Sequence, residues 1–148
     1  MSRDLGDAQG IAQACADSMW ADDVASRSLG MALDGVGPGR ARMSMTVTAQ
    51  MVNGHNICHG GYIFLLADSC FAFACNSHNQ RAVAQHCNIT FVRPARLGMR
   101  LSASAEERGR SGRSGIYDIT VTAEDGAVIA ELRGHSREMG QAFFKDPE

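Results

Sequence analysis

The segment Asn53-Gly54-His55-Asn56-Ile57-Cys58-His59-Gly60-Gly61 leads straight into Tyr62-Ile63-Phe64-Leu65-Leu66-Ala67-Asp68-Ser69-Cys70-Phe71-Ala72-Phe73-Ala74-Cys75. The first part is a polar, glycine-broken loop. The second is apolar on every side except at Asp68 and Ser69, and a helix that is apolar all round has to be buried all round. Fourteen residues make ~21 Å of helix, too short for a bilayer and about right for crossing a small sheet. Asn76-Ser77-His78-Asn79 has the turn-forming character that stops it. The expectation is a buried central helix over about 60–77.

Outward from that helix the chain reads as strands. Upstream, Arg40–Thr48 alternates strictly, with Ala41, Met43, Met45 and Val47 on one face and arginines, serine and threonines on the other. Gly35-Val36-Gly37-Pro38-Gly39 is a turn, and Leu29–Leu33 before it is a short apolar run that a hairpin would pair. Further upstream, Ile11, Cys15 and Met19 recur every four residues, with Ala12, Ala16 and Trp20 beside them, which predicts an amphipathic helix over about 7–22. Downstream, four strand-like segments follow at about 82–92, 100–108, 116–123 and 127–137, separated by Arg93-Pro94, by 109–115 and by Glu124-Asp125-Gly126. Strands that succeed one another without helices pair antiparallel, so the fold class is α+β with an antiparallel sheet of about six strands. The tail 140–148 is expected to fray.

Composition narrows the function classes. A chain of 148 residues is read as one domain, 1–148, and 45% apolar against 20% charged residues is the balance of a globular core. A net charge of −2 and only six Phe, two Tyr and one Trp argue against nucleic-acid binding and against charge-driven membrane attachment. The start, Met1 to Gly10, is acidic and polar, unlike a signal peptide, and no apolar run is long enough for a membrane span, so the chain reads as cytoplasmic. Its five cysteines read as reduced, buried, small hydrophobes.

Asp68 stands out, because a carboxylate inside an apolar helix is expensive unless it is paired or functional. Desolvation would raise its pKa and suit it to general-base or nucleophilic work near neutral pH. A carboxylate that reaches the rim and caps backbone amides is the other reading, and composition leaves both open. Gly60-Gly61 lies where the helix begins, so amide hydrogens without intrahelical partners point outward with the positive end of the helix dipole, as in an oxyanion hole. A tight entry turn needs no more than the same two glycines. Gly60 and Asp68 are eight residues, or roughly 12 Å, apart along one helix. One thioester or ester carbonyl cannot touch both. If they serve one substrate, they come from two chains whose helices lie antiparallel across an interface, with a symmetric pair of sites.

Other constellations weigh less. His55-x3-His59, with Cys58 between and Cys75 and His78 further on, has zinc-like spacing but lacks a clean third and fourth ligand. Cys58 and His59 are adjacent and lack an orienting acid, so they make a poor dyad. Gln85 and His86 fit the core, the solvent or a supporting role around the site. Six arginines between Arg93 and Arg113 (Arg93, Arg96, Arg100, Arg108, Arg110 and Arg113), interleaved with Gly and Ser, suit either the phosphates of a nucleotide-bearing substrate or a solvated edge.

Taken together, Thr46 to His55, then Cys58-His59-Gly60-Gly61, Leu66-Ala67-Asp68 and Phe71 to Ser77 resemble the phenylacetic acid degradation (PaaI-type) thioesterases of the hotdog fold. The resemblance runs from about Ala25 to Ser136, through Arg93-Pro94, Gly115 to Ile119 and Arg133-Gly134. It implies an antiparallel sheet wrapped around the central helix, dimers joined edge to edge, and usually a tetramer of two such dimers. It implies hydrolysis of aryl-acyl-CoA thioesters of the phenylacetyl or hydroxyphenylacetyl kind, without metal or organic cofactor, since coenzyme A belongs to the substrate. Asp68 then matches the catalytic carboxylate, Gly60 the amide that polarises the carbonyl, and Asn53 and His59 the loop positions that orient substrate and support that amide. Gly61, Arg93, Arg110 and Arg113 are the expected substrate-binding positions. Where some related enzymes carry a water-positioning Ser after the central helix, this chain reads Val83-Ala84-Gln85-His86, and Ser69 is not assigned that task. A hotdog hydratase or dehydratase would need His59 or His86 as a base beside an acid, and a non-catalytic acyl-CoA binding module would gain little from Asp68.

Overall fold

The computed structural model describes residues 6–145. The N-terminal helix α1 spans Ala8–Asp22 and starts where Asp7 accepts the Gly10 N–H at 3.0 Å, a side-chain N-cap. A one-turn helix α2, Val24–Ser28, follows, and its periodicity is too short to read from sequence. Asp23 caps it, accepting from the Ser26 N–H and hydroxyl, and Ser26 meets Ser69 of the central helix at 2.8 Å. Ser69 is thus spent on holding α2 in place.

Strands β1 (Ala32–Gly37) and β2 (Arg40–Thr46) form a hairpin, but with shifted bounds: Gly35, Val36 and Gly37, expected in the turn, pair with β2, only Pro38-Gly39 turns, and Leu29 to Met31 precede the strand. Ala41, Met43 and Met45 are buried as the alternation requires. A short 3-10 turn, Ala49–Met51, leads into the polar loop and then α3, Gly60–Cys75. The helix ends two residues before the expected boundary because Asn76 closes it. Its Nδ2 donates to the carbonyls of Ala72 and Ala82, and its Oδ1 accepts from the Ala82 N–H. Ser77 adds to the stop by donating to Ala74 and accepting from Gly39.

After α3 come β3 (Ala82–Phe91), β4 (Arg100–Ser111), β5 (Ser114–Thr122) and β6 (Val128–Glu138). The expected loop 109–115 is mostly strand: β4 and β5 run on to Ser111 and Ser114, and Gly112, at φ +59, takes the first central position of a two-residue turn. All pairings are antiparallel, in the order β1-β2-β4-β5-β6-β3. The helix therefore carries the chain from β2, near one edge, to β3 at the other, across the sheet that curls around it. Leu66, Phe71 and Phe73 of α3 pack with Met43, Met45, Leu101, Tyr117, Ile119 and Val121 in one buried cluster. At Gly134 a Cβ would lie 2.7 Å from the Phe71 ring, so only glycine lets β6 approach the helix this closely. This is the hotdog architecture.

The C-terminal tail departs from its expected fraying. Through Phe144 it is pinned: Asn79 Oδ1 accepts from the N–H groups of Phe143 and Phe144, its Nδ2 donates to the Phe144 carbonyl, and the Arg81 guanidinium lies 4.2 Å from the Phe143 ring centre. Residues 146–148 of that tail lie outside the described part. Among the described residues, no helix is long and apolar enough to cross a membrane. All five cysteines are free thiols, four of them buried and Cys87 half-buried.

Candidate active site

The loop before α3 is built around Asn53. Its Oδ1 accepts from the N–H of His55 at 3.0 Å and of Ile57 at 3.4 Å, while its backbone N–H reaches the Ile57 carbonyl. The turn sets His59 at the N-cap of α3, where Nδ1 accepts the Gly61 N–H at 2.9 Å. That bond fixes the His59 tautomer with hydrogen on Nε2. It also changes the role expected of Gly61, whose amide already has an acceptor. Gly60 is different. As the first helical residue it has an N–H that no acceptor among the described residues engages, aligned with the positive end of the helix dipole.

Gly60 and Asn53 line a cleft of about 570 Å³ with Arg93, Pro94, Phe91 and Val92. The Phe91 ring sits over Gly60, 2.9 Å from where a Cβ would be. Phe91 was not anticipated as a site residue, although the alternation Cys87, Ile89, Phe91 along β3 was the signal that could have found it. Arg93 donates to the Val128 carbonyl at 3.2 Å, which holds the side chain at this cleft. If His59 supports the site by capping, His59→Ala lowers stability by ~1 kcal/mol, read as a lower Tm, and lowers kcat by loosening the Gly60 amide. His59→Asn, which keeps an acceptor at the cap, restores most of the Tm.

Arg110 and Arg113 lie elsewhere. Arg110 pairs with Glu138 at 3.0 Å and lies 3.6 Å from Glu107, and the Arg113 guanidinium lies against Gly140. Through Ser114↔Arg137 and Arg137↔Val83 they sit at the start of β3, about eight residues or ~27 Å from the Phe91 end where Gly60 lies. Within one protomer only Arg93 of the three shares the Gly60 cleft.

Asp68 faces a separate cavity of about 360 Å³ along the second half of α3, bordered by Phe71, Ala72 and Val83. Among the described residues no donor reaches its carboxylate, and burial pushes the carboxyl above its ordinary value. Cys87 on β3 is close enough that the carboxylate, after burial itself, helps to raise the thiol. The capping alternative for Asp68 is thereby removed, since it caps nothing. His86 points to the outer face of the sheet, paired with His135 at 5.4 Å between ring centres, and does not face Asp68. Neither histidine is placed as the base of a hydratase: His86 faces outward, and Nδ1 of His59 is occupied by an amide. Among the described residues no three His, Cys, Asp or Glu side chains converge as a metal site requires.

Two surfaces remain uncovered in the single chain. β3 is an edge strand, and Val83, Ala84, Gln85, His86, Asn88, Thr90 and Phe91 are exposed on both of its faces. On α3, Gly61, Leu65, Asp68 and Ala72, at spacings of four, three and four, keep access to solvent, so the helix is not buried on all sides by its own sheet.

The thioesterase superfamily matches residues 55–130, which include the His59-Gly60-Gly61 turn and Asp68. The chain belongs to that superfamily and, by its 42% identity to a PaaI acyl-coenzyme A thioesterase, is a thioester hydrolase of the PaaI type. The acyl-coenzyme A thioesterase PaaI of Escherichia coli K12 is 42% identical over 125 residues, covering 84% of this chain and 89% of that protein. The structure of the E. coli PaaI protein from the phenylacetic acid degradation operon superposes with a TM-score of 0.90 at 40% identity, over 92% of this chain and 99% of that one. A mutant of the phenylacetic acid degradation protein PaaI of Thermus thermophilus gives 0.74 at 33% identity, over 77% and 97%.

Proposed function

We propose that this protein hydrolyses aryl-acyl-CoA thioesters, of the phenylacetyl or hydroxyphenylacetyl kind, to the free acid and CoA within aromatic degradation. The observation that carries the reading is the pairing of an unengaged Gly60 amide with a desolvated, unpartnered Asp68 on one helix. Because roughly 12 Å of helix separates them, the working site takes Asp68 from one subunit and Gly60 from its partner. The exposed edge of β3 and the open stripe on α3 support a dimer in which the two sheets join and the two helices lie antiparallel, and the family resemblance extends this to a homotetramer.

In this arrangement the Asp68 cavity of one subunit meets the Gly60 cleft of the other, and the thioester lies where they join. Asp68 deprotonates a water that attacks the carbonyl carbon, or attacks that carbon itself to give an acyl-Asp68 anhydride that a second water hydrolyses to the free acid, as charge develops on the carbonyl oxygen. The Gly60 N–H and the helix dipole stabilise that charge. The tetrahedral intermediate collapses by breaking the C–S bond, and CoA leaves as thiolate. Asn53 and His59 hold the amide and the substrate-facing loop, and Arg93 offers a cation to the phosphate-bearing CoA. No metal or organic cofactor takes part, and the enzyme works in the cytoplasm.

The test is release of free CoA, followed with a thiol reagent over a panel of aryl and aliphatic CoA esters. The expected result is kcat/KM highest for phenylacetyl- or hydroxyphenylacetyl-CoA, with no hydration of crotonyl-CoA. Preference for long aliphatic esters would contradict the substrate assignment, and binding without thiol release would contradict the catalytic one.

A further inference from the structure

The sequence leaves α1 without a role, and the tail past β6 was expected to be loose. Both border the cavity beside Asp68, where Met19 of α1 and Met139 and Phe143 of the tail form a wall opposite Phe71, Ala72 and Val83. Resting on the reading above, we propose that this cavity houses the acyl end of the substrate, and that Met19, Met139 and Phe143, from the two segments flanking the hotdog core, set which acyl group fits.

The direction of the substrate follows from the chemistry. With the carbonyl carbon at Asp68 and the CoA side placed in the Gly60 cleft, where Arg93 offers its phosphates a cation, what extends beyond Asp68 is the acyl group. The cavity holds about 360 Å³. A cavity of roughly 150 Å³ takes a benzene, so a single ring and its methylene linker fit with room to orient. Thioethers and a phenyl ring are a polarizable lining that favours an aromatic guest.

The wall is built to hold its shape. Asn79, at φ +57, makes three hydrogen bonds to Phe143 and Phe144, of 2.9 to 3.1 Å. The Arg81 N–H donates to Gln141 at 2.7 Å, the Met139 N–H donates to Arg81 at 2.8 Å, and the Arg81 guanidinium stacks on Phe143. On the other side α1 is tied down by Trp20 against Phe73, 6.1 Å between ring centres, and by Gln9 donating to the Val36 carbonyl. Met19, Met139 and Phe143 all fall outside residues 55–130, the stretch that the superfamily shares. The shared stretch carries the carboxylate and the amide, and the flanks carry the choice of acyl group.

The test compares kcat/KM for phenylacetyl-CoA and octanoyl-CoA in wild type, Phe143→Ala, Met19→Phe and Asn79→Gly, with Asp68→Asn alongside. Phe143→Ala opens the wall and lowers the phenylacetyl-to-octanoyl ratio on the order of tenfold, the scale at which pocket shape discriminates. Asn79→Gly keeps the backbone conformation, removes no lining atom, frees the tail and moves the ratio the same way. Met19→Phe narrows the cavity and moves the ratio the opposite way. Asp68→Asn lowers both rates and leaves their ratio in place. Should Phe143→Ala fail to fold, Asn79→Gly and Met19→Phe decide the matter. Folded variants whose ratios stay within about twofold of an active wild type overturn the proposal alone. A wild type that releases CoA from neither ester overturns the functional reading, and the proposal with it.

Discussion

Asp68→Asn is expected to cut kcat for CoA-ester hydrolysis by on the order of 10²–10⁴-fold, the usual contribution of a general base, while KM stays close to wild type. Asn has the shape of Asp and cannot take the proton or attack the carbon. The variant should fold at least as well as wild type. No donor among the described residues partners the carboxylate, and burial already works against its charged form, so removing the charge removes a cost. In wild type the same shift has a sign in activity. The base works when ionised, so kcat rises with pH through an apparent pKa above the ordinary carboxylate value, and Asp68→Asn abolishes that limb. Near-normal turnover in a folded Asp68→Asn protein would remove Asp68 from the chemistry.

Gly60→Pro is expected to lower kcat by about 10²–10³-fold, the effect of losing one oxyanion-hole donor, with the fold intact. Proline has no N–H, so the substitution deletes the one amide that the account assigns to the carbonyl oxygen. The position accepts it on three counts. Gly60 is the first residue of the helix, where proline is favoured. His59 before it has φ −59 and ψ 132, in the extended region that a residue preceding proline adopts. The atom a new Cβ would meet is Cζ of Phe91, the far end of a side chain that is 50% exposed and can turn away. Circular dichroism and Tm close to wild type, together with the kinetic loss, identify the amide rather than the fold as the cause. A folded Gly60→Pro enzyme with full activity would remove the oxyanion assignment.

The strands and central helix were legible because each carries one dominant pattern. Arg40–Thr48 alternates with period two, and Tyr62–Cys75 is apolar enough to mark the helix the sheet packs on, although Leu65, Asp68 and Ala72 keep access to solvent in the single chain. The elements the sequence hid are those decided by single side chains acting at a distance. Asn76 ends α3 by bonding across to Ala82, six residues on. Asn79 pins a tail 64 and 65 residues away, and no local periodicity announces either.

At the candidate site, Asp68 and Gly60 could be singled out in the sequence because a carboxylate within an apolar helix and a glycine pair at a helix start are conspicuous. The surrounding walls were not, since Phe91, Met139 and Phe143 become neighbours of the site only through strand order. The arginine patch shows the limit of composition. Six arginines within 21 positions look like one surface, yet strand pairing carries Arg93 to one end of the sheet and Arg110 and Arg113 to the other.

The claim on which the mechanism turns is that each site is shared between two subunits, and mixed dimers of the two inactive variants test it most directly. When Asp68→Asn and Gly60→Pro subunits are co-expressed with different tags and allowed to pair, a mixed dimer contains one site with both intact groups and one with neither. Random pairing therefore returns about a quarter of wild-type activity, and purified mixed dimers return about half. Mixed dimers no more active than the two parent variants would show that each chain works with its own Asp68 and Gly60, and would contradict the account.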